Sequence, residues 1–235
     1  MNVKLSGVDG VKAVFFDMDG TLVLRTQWEV GRVMGILKEL NLSFDEKKVE
    51  EAYSFAEEWF KGRVKTYLDR RREVLLEYNR LLLEHLDIHE GLDKLAEETQ
   101  RRRENPPDKL YPEVKDVLKR LKEKNLKLGV ISHRLLIQTE NSLRRHSILE
   151  LFSCIVSPLE AEAPLGKLDP KLWEFALQRI GVKREEAVHV GDELEMDVAG
   201  AERAGLTPIL VDRENRYQEI ACMRITDLTQ LLELI

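Results

Sequence analysis

The run Val11-Lys12-Ala13-Val14-Phe15-Phe16 is β-branched and aromatic, and it stops at two carboxylates one residue apart, Asp17 and Asp19. A strand with so little polarity is expected in the middle of a sheet covered on both faces. Acids that close such a strand fall at its carboxyl edge, where open α/β sheets bind their ligands. Residues i and i+2 of an extended chain point the same way, so Asp17 and Asp19 address one point in space. Two like charges that close need a cation or a shared proton. Taken alone, the same residues also describe a strand-ending turn with solvated acids, which Gly20 would allow.

Size and charge bound the alternatives. The 235 residues, 43% of them apolar, suffice for one large domain or for a domain carrying an insertion. No stretch reaches the roughly 18 to 20 apolar residues of a membrane span, so no membrane partner is expected. The start, Met1-Asn2-Val3-Lys4-Leu5, has no apolar signal region. Two cysteines, Cys154 and Cys222, make neither a disulfide framework nor a metal motif, and buried thiols in a reducing cytoplasm are the expectation. A net charge of −6 argues against a nucleic-acid groove. Oligomeric state is not legible.

The chain changes texture twice. After the first strand, apolar residues recur at three- and four-residue spacing, as in Trp28-Val30-Val33-Met34-Leu37-Leu40 and Val49-Ala52-Tyr53-Ala56-Trp59-Phe60. The pattern continues through Leu68–Leu86 and Leu92–Ala96, giving about four amphipathic helices. Asn105-Pro106-Pro107-Asp108 ends this zone, since neither proline continues a helix. Helices and strands then alternate. Strands are expected at Leu126–Ile131, Cys154–Val156, Ala187–Val190, Pro208–Val211 and Met223–Ile225. The intervening helices fall at Val114–Leu121, Leu135–Arg145, Asp169–Ile180 and Met196–Ala204, and Thr226 or Asp227 caps a last one. Such alternation implies an α/β fold, a doubly wound, Rossmann-like parallel sheet with helices on both faces. The helical zone is then an inserted α-helical cap, residues 25–106, in a core of residues 1–24 and 107–235.

Polar residues close or follow four of the strands: Asp17 and Asp19, Ser132, Asp192, and Lys167 in a loop. Singly each has a plain reading. Ser132 caps a helix, Lys167 is a solvated loop residue, and the acids after Gly191 sit at a helix N-terminus favoured by its dipole.

In this order they resemble the haloacid-dehalogenase-like hydrolase superfamily, phosphatase branch. The resemblance rests on Asp17-Met18-Asp19-Gly20-Thr21, Ser132 after Val130-Ile131, Lys167-Leu168-Asp169-Pro170, and Gly191-Asp192 through Asp197, running on into Gly200-Ala201-Glu202-Arg203-Ala204-Gly205. The helical insertion resembles the family's C1-type cap. The resemblance implies that Asp17 is the nucleophile, accepting the phosphoryl group as an aspartyl-phosphate. It makes Asp19 the general acid for the leaving alcohol and then the base for water. Mg²⁺ is the implied cofactor, held by Asp17, Asp192 and the backbone carbonyl of Asp19. Thr21, Ser132 and Lys167 are implied around the phosphate, and Asp197 orients Lys167 or a metal-bound water. Dehalogenating members carry Tyr, and phosphonate-cleaving members Ala, where this chain has Asp19; an acid favours an oxygen leaving group.

Three positions depart from the family pattern, and one of them is Leu24, which stands where an acid is frequent. Leu168 replaces a proline after Lys167. His133 replaces the common asparagine, and either hydrogen-bonds the substrate or begins the helix. In the insertion, Gly62 between Lys61 and Arg63 either aims these cations at a substrate or merely joins two helices. The expected activity is Mg²⁺-dependent hydrolysis of a small phosphorylated metabolite. A sugar phosphomutase and a non-catalytic regulatory protein on the same fold are the alternatives.

Overall fold

In β1 (Ala13–Phe16) every residue is buried, with Val14 and Phe16 packed into one core and Ala13 and Phe15 into another. This is the signature of a strand covered on both faces. The computed structural model describes residues 8–24, 29–63, 70–105, 108–217 and 220–235. The other strands are β2 (Lys127–Ile131), β3 (Cys154–Val156), β4 (Ala187–Gly191), β5 (Thr207–Val211) and β6 (Met223–Ile225). They form one sheet, order β3-β2-β1-β4-β5-β6, and every pairing is parallel. The strand order therefore reverses at β1, with β2 on one side and β4 on the other. Ligands of doubly wound sheets bind at such a switch point.

The chain divides into two compact units, residues 1–25 with 108–235, and residues 26–107. The second holds α1 (Glu29–Glu39), α2 (Glu46–Lys61), α3 (Arg71–His85) and α4 (Leu92–Arg103). Its own core gathers Val33, Leu37, Val49, Ala52, Ala56, Leu82, Leu83 and Leu86, the stripes that the sequence spacing marks. Trp28, assigned to that core from sequence, lies outside the described residues.

In the first unit, α5 (Val114–Glu123) lays Val117, Leu118 and Leu121 on one face of the sheet. On the other face, α7 (Pro170–Ile180) contributes Leu172, Trp173, Ala176 and Ile180. Asp169 caps α7 by accepting from the Lys171 N–H at 3.1 Å, and Pro170 fills the first helical position. After β2 comes α6 (Leu136–Arg145). The segment after β4 differs from the expected Met196–Ala204 helix. Leu194–Ala199 is wound wider, with the Val198 N–H reaching the Glu193 carbonyl, before α8 (Gly200–Ala204) regains α geometry. The last helix, α9 (Leu231–Leu234), follows a turn capped by Asp227, whose Oδ1 accepts from the Thr229 N–H at 2.7 Å. Both cysteines are free; Cys154 is buried and Cys222 half-buried. Among the described residues no helix is long and apolar enough to cross a membrane.

Candidate active site

The Asp17 N–H donates to the Val190 carbonyl at 2.9 Å, so β1 carries Asp17 to the end of its neighbour β4, where Asp192 follows Gly191. Beyond Asp17 the chain must turn sharply. Gly20 has φ +85°, and a Cβ there would lie 2.2 Å from Asp192 Oδ2. Only glycine allows the motif loop and Asp192 to approach this closely. The turn is held from β5's end by Arg213, which donates to the Thr21 carbonyl at 2.8 Å and to the Gly20 carbonyl at 3.3 Å. Thr21 is fully buried, and its Oγ1 has no hydrogen-bond partner among the described residues.

Carboxylate oxygens of Asp17, Asp192 and Asp197, all buried, lie within 4.8 Å of one another. The wide turn after Glu193 brings Asp197 back under the end of β4; such turns recur at functional sites. Lys167 is 3% exposed, and its Nζ donates both to Asp17 Oδ1 and, at 2.6 Å, to Asp197 Oδ1. Asp197 also accepts from the Glu193 N–H at 3.0 Å and pairs with His189 Nε2 at 2.8 Å. Burial favours a neutral Asp197, yet Lys167 and His189 outweigh it and hold the carboxyl well below its ordinary range. Burial likewise opposes the charge on Lys167, and Asp17 and Asp197 overcome it. Asp17 is then the carboxylate in excess. Burial, with the negative charge of Asp197 adding to it, raises its pKa to about 8 against the pull of Lys167.

This donor set suits a hard divalent cation, which takes carboxylate and carbonyl oxygens and would relieve the excess of negative charge. The carboxylate of Asp19 is not in the cluster. Arg134 grips it, Nε to Oδ2 at 2.7 Å and Nη2 to Oδ1 at 2.5 Å. Ser132 begins a tight turn, its Oγ accepting from the Arg134 N–H at 3.2 Å.

His133 lies ahead of α6, which starts at Leu136, so it does not begin that helix. Its Nε2 accepts from the Lys167 N–H at 3.1 Å, pinning the loop that presents Lys167. Gly166 makes the room: at φ +60°, a Cβ would stand 2.4 Å from Nε2. The loop itself is one tight turn, Gly166–Leu168, so Leu168 in place of proline still leads directly into α7. Trp173 holds the same loop from α7, its Nε1 donating to the Lys167 carbonyl at 2.8 Å.

Lys61 and Arg63 belong to the other unit. Lys61 pairs with Glu58 at 2.9 Å, and the Arg63 guanidinium lies 4.1 Å from the Trp59 ring centre. Gly62 closes α2 in the right-handed region, φ −72°, so the left-handed freedom of glycine is not used there. Sequence reasoning missed Arg134, Asp108, Arg213 and His189. Arg134 stands two residues beyond Ser132, and adjacency to a motif was the one signal available.

A model of haloacid dehalogenase-like hydrolases matches residues 11–205. The chain belongs to that family. A glyceraldehyde 3-phosphate phosphatase of Methanothermobacter thermautotrophicus is 28% identical over 96% of this chain and all of its own length. A protein of the same name from Methanopyrus kandleri is 38% identical over 48% of this chain and 47% of its own length. A phosphoserine phosphatase of Thermus thermophilus is 32% identical over 59% and 55%. In these last two matches the chain spans about half the relative's length. Among solved structures, a 2-haloacid dehalogenase of Pseudomonas syringae superposes with a TM-score of 0.67 at 24% identity, covering 95% of this chain and 97% of the other. A haloacid dehalogenase-like phosphatase of Thermococcus onnurineus gives 0.59 at 22%, with the same coverage. At that identity the likeness to these two structures shows the fold alone.

Proposed function

We propose that this haloacid dehalogenase-like hydrolase is a Mg²⁺-dependent phosphatase of small phosphomonoesters that works through an aspartyl-phosphate on Asp17. The observation that carries the reading is the shared grip of Lys167 on Asp17 and Asp197 beside Asp192. It concentrates three acids and a lysine around the adjoining ends of β1 and β4, as transfer of a phosphoryl dianion requires. An Asp17 oxygen attacks phosphorus as the bond to the leaving oxygen breaks, and Asp19 gives that oxygen a proton. Water then attacks the phosphorus of the acyl phosphate, Asp19 takes its proton, and Asp17 is released. Thr21, Ser132 and Lys167 hold the phosphoryl oxygens. Asp197 keeps Lys167 charged and aimed, and His133 fixes its loop. Asp17, Asp192 and the Asp19 carbonyl would hold the cation, which when bound would supply positive charge between the anionic nucleophile and its substrate.

The relatives' names, glyceraldehyde 3-phosphate phosphatase and phosphoserine phosphatase, favour small phosphorylated metabolites, and they favour hydrolysis over a mutase or a non-catalytic role. Residues 25–106, inserted directly after the nucleophile's loop, serve in this reading as the C1-type cap that selects substrate, with Lys61 and Arg63 as contacts. The enzyme is read as cytoplasmic. Turnover of 4-nitrophenyl phosphate with Mg²⁺, lost on chelation and lost in Asp17→Asn, supports the reading. Turnover that survives in Asp17→Asn removes the nucleophile assignment.

A further inference from the structure

The carboxylate of Asp19 is not free to choose its direction. Arg134, 5% exposed and buried at the start of the connection after β2, takes one lone pair from each Asp19 oxygen in a two-point fork. The fork fixes the carboxylate plane and leaves the remaining lone pair of each oxygen available for a proton. Asp19 itself is more open, its side chain 28% exposed. The fork has a built foundation. Arg134 Nη1 donates to Asp108, whose side chain is fully buried. Asp108 also accepts from Ser142 Oγ at 2.8 Å and contacts His146 Nε2 at 3.1 Å, both from the end of α6. Arg145 stands 3.8 Å away on the same carboxylate. Burial works against the charges of both Arg134 and Asp108, yet their partners outweigh it.

We infer that Arg134, seated on Asp108, is a positioning residue that aims the Asp19 carboxylate at the leaving-group oxygen. The inference rests on Asp19 being the general acid of the proposed reaction. A lysine has the charge of Arg134 but cannot hold two oxygens in one plane, so the fork and the charge separate experimentally. The proton that Asp19 delivers matters when the leaving group is an alkoxide, and little when it is a nitrophenolate that departs unassisted. A residue that aims Asp19 therefore affects the two esters differently. A residue that merely stabilises the fold affects them alike.

The test compares kcat/KM for glycerol 3-phosphate and 4-nitrophenyl phosphate, with Mg²⁺ present, in the wild type, Arg134→Lys, Asp108→Asn, Asp19→Asn, and Asp19→Asn combined with Arg134→Lys. Arg134→Lys is expected to lower kcat/KM for the alkyl ester at least tenfold more than for the aryl ester, a factor on the scale of general acid catalysis. Asp108→Asn, which keeps the shape of the site, should show the same preference more weakly. Adding Arg134→Lys to Asp19→Asn should cost the alkyl ester nothing further. Equal losses for both esters, or full additivity in the double variant, overturn the inference. If Asp19→Asn itself fails to discriminate between the esters, the general-acid reading falls instead. Circular dichroism melts on each variant identify a folding defect, and in that case the ratio of the two esters in the remaining folded enzyme decides between aiming and mere stabilisation.

Discussion

His133 bears on the site through the backbone of the loop that presents Lys167. It holds the Lys167 loop through an acceptor nitrogen, and that role requires the neutral ring. Desolvation around the ring, reinforced by the charge of Lys167, lowers its pKa below the ordinary 6.5, so at neutral pH the acceptor is present. A base with a depressed native pKa gives up stability as pH falls below its unfolded value, because the unfolded chain takes the proton first. Loop stability should therefore begin to decline on the acid side of about 6.5, and activity only at the lower pH where the native ring takes its proton. His133→Gln, whose amide oxygen still accepts, should retain much of the activity and flatten that acid limb, whereas His133→Ala should raise KM severalfold. A pH–rate profile of the three proteins checks this; identical acid limbs would mean another group sets them. Asp17, Asp19 and Asp192 were legible in the sequence because they close apolar strands. The hydrogen bond of His133 was not, since its partner lies 34 residues away.

At the scale of elements, the strands and most helices follow from the sequence with shifts of a residue or two. Apolar runs closed by polar residues mark β1, β2 and β4, and the Asp169-Pro170 start marks α7. The wide turn at Leu194–Ala199 was not legible, because six residues are too few to separate its period from that of an α-helix. Nor was the Arg134–Asp108 pair, which joins residues 26 apart on different elements. The loop Gly166–Leu168 offers a sharp test. A side chain at Gly166 meets both an unfavourable left-handed backbone, worth about 1–2 kcal/mol, and the His133 ring at 2.4 Å. Gly166→Ala should reduce kcat at least tenfold and lower stability by more than that backbone strain alone. Adding His133→Ala should relieve the steric part and restore some stability. Chemical denaturation and steady-state rates on the single and double variants measure this, and a fully active Gly166→Ala would contradict the account of the loop.

For the whole molecule, the central electrostatic fact is an acid in excess. In the metal-free protein, burial lifts Asp17 from the ordinary 3.8 to about 8. Its native pKa lies above its unfolded one, so its contribution to stability is complete below the unfolded value and is lost as pH rises toward about 8. A divalent cation needs the ionised carboxylate, so its affinity should climb with pH over the same interval and level off above it. At a hundredfold excess over its dissociation constant, a bound cation should stabilise the fold by about 2.7 kcal/mol. Thermal melts with and without Mg²⁺ between pH 6 and 9 test both statements, and a cation-induced shift that shrinks as pH rises would refute them.

The most direct measurement is the fate of Asp17 during turnover. Enzyme quenched in acid while consuming a phosphomonoester, then digested and analysed by mass spectrometry, should carry a phosphoryl group on the peptide containing Asp17. Reduction with borohydride should convert that residue, and no other aspartate, to homoserine. A turning-over enzyme with Asp17 unmodified, or with the phosphoryl group on a different side chain, would contradict the account.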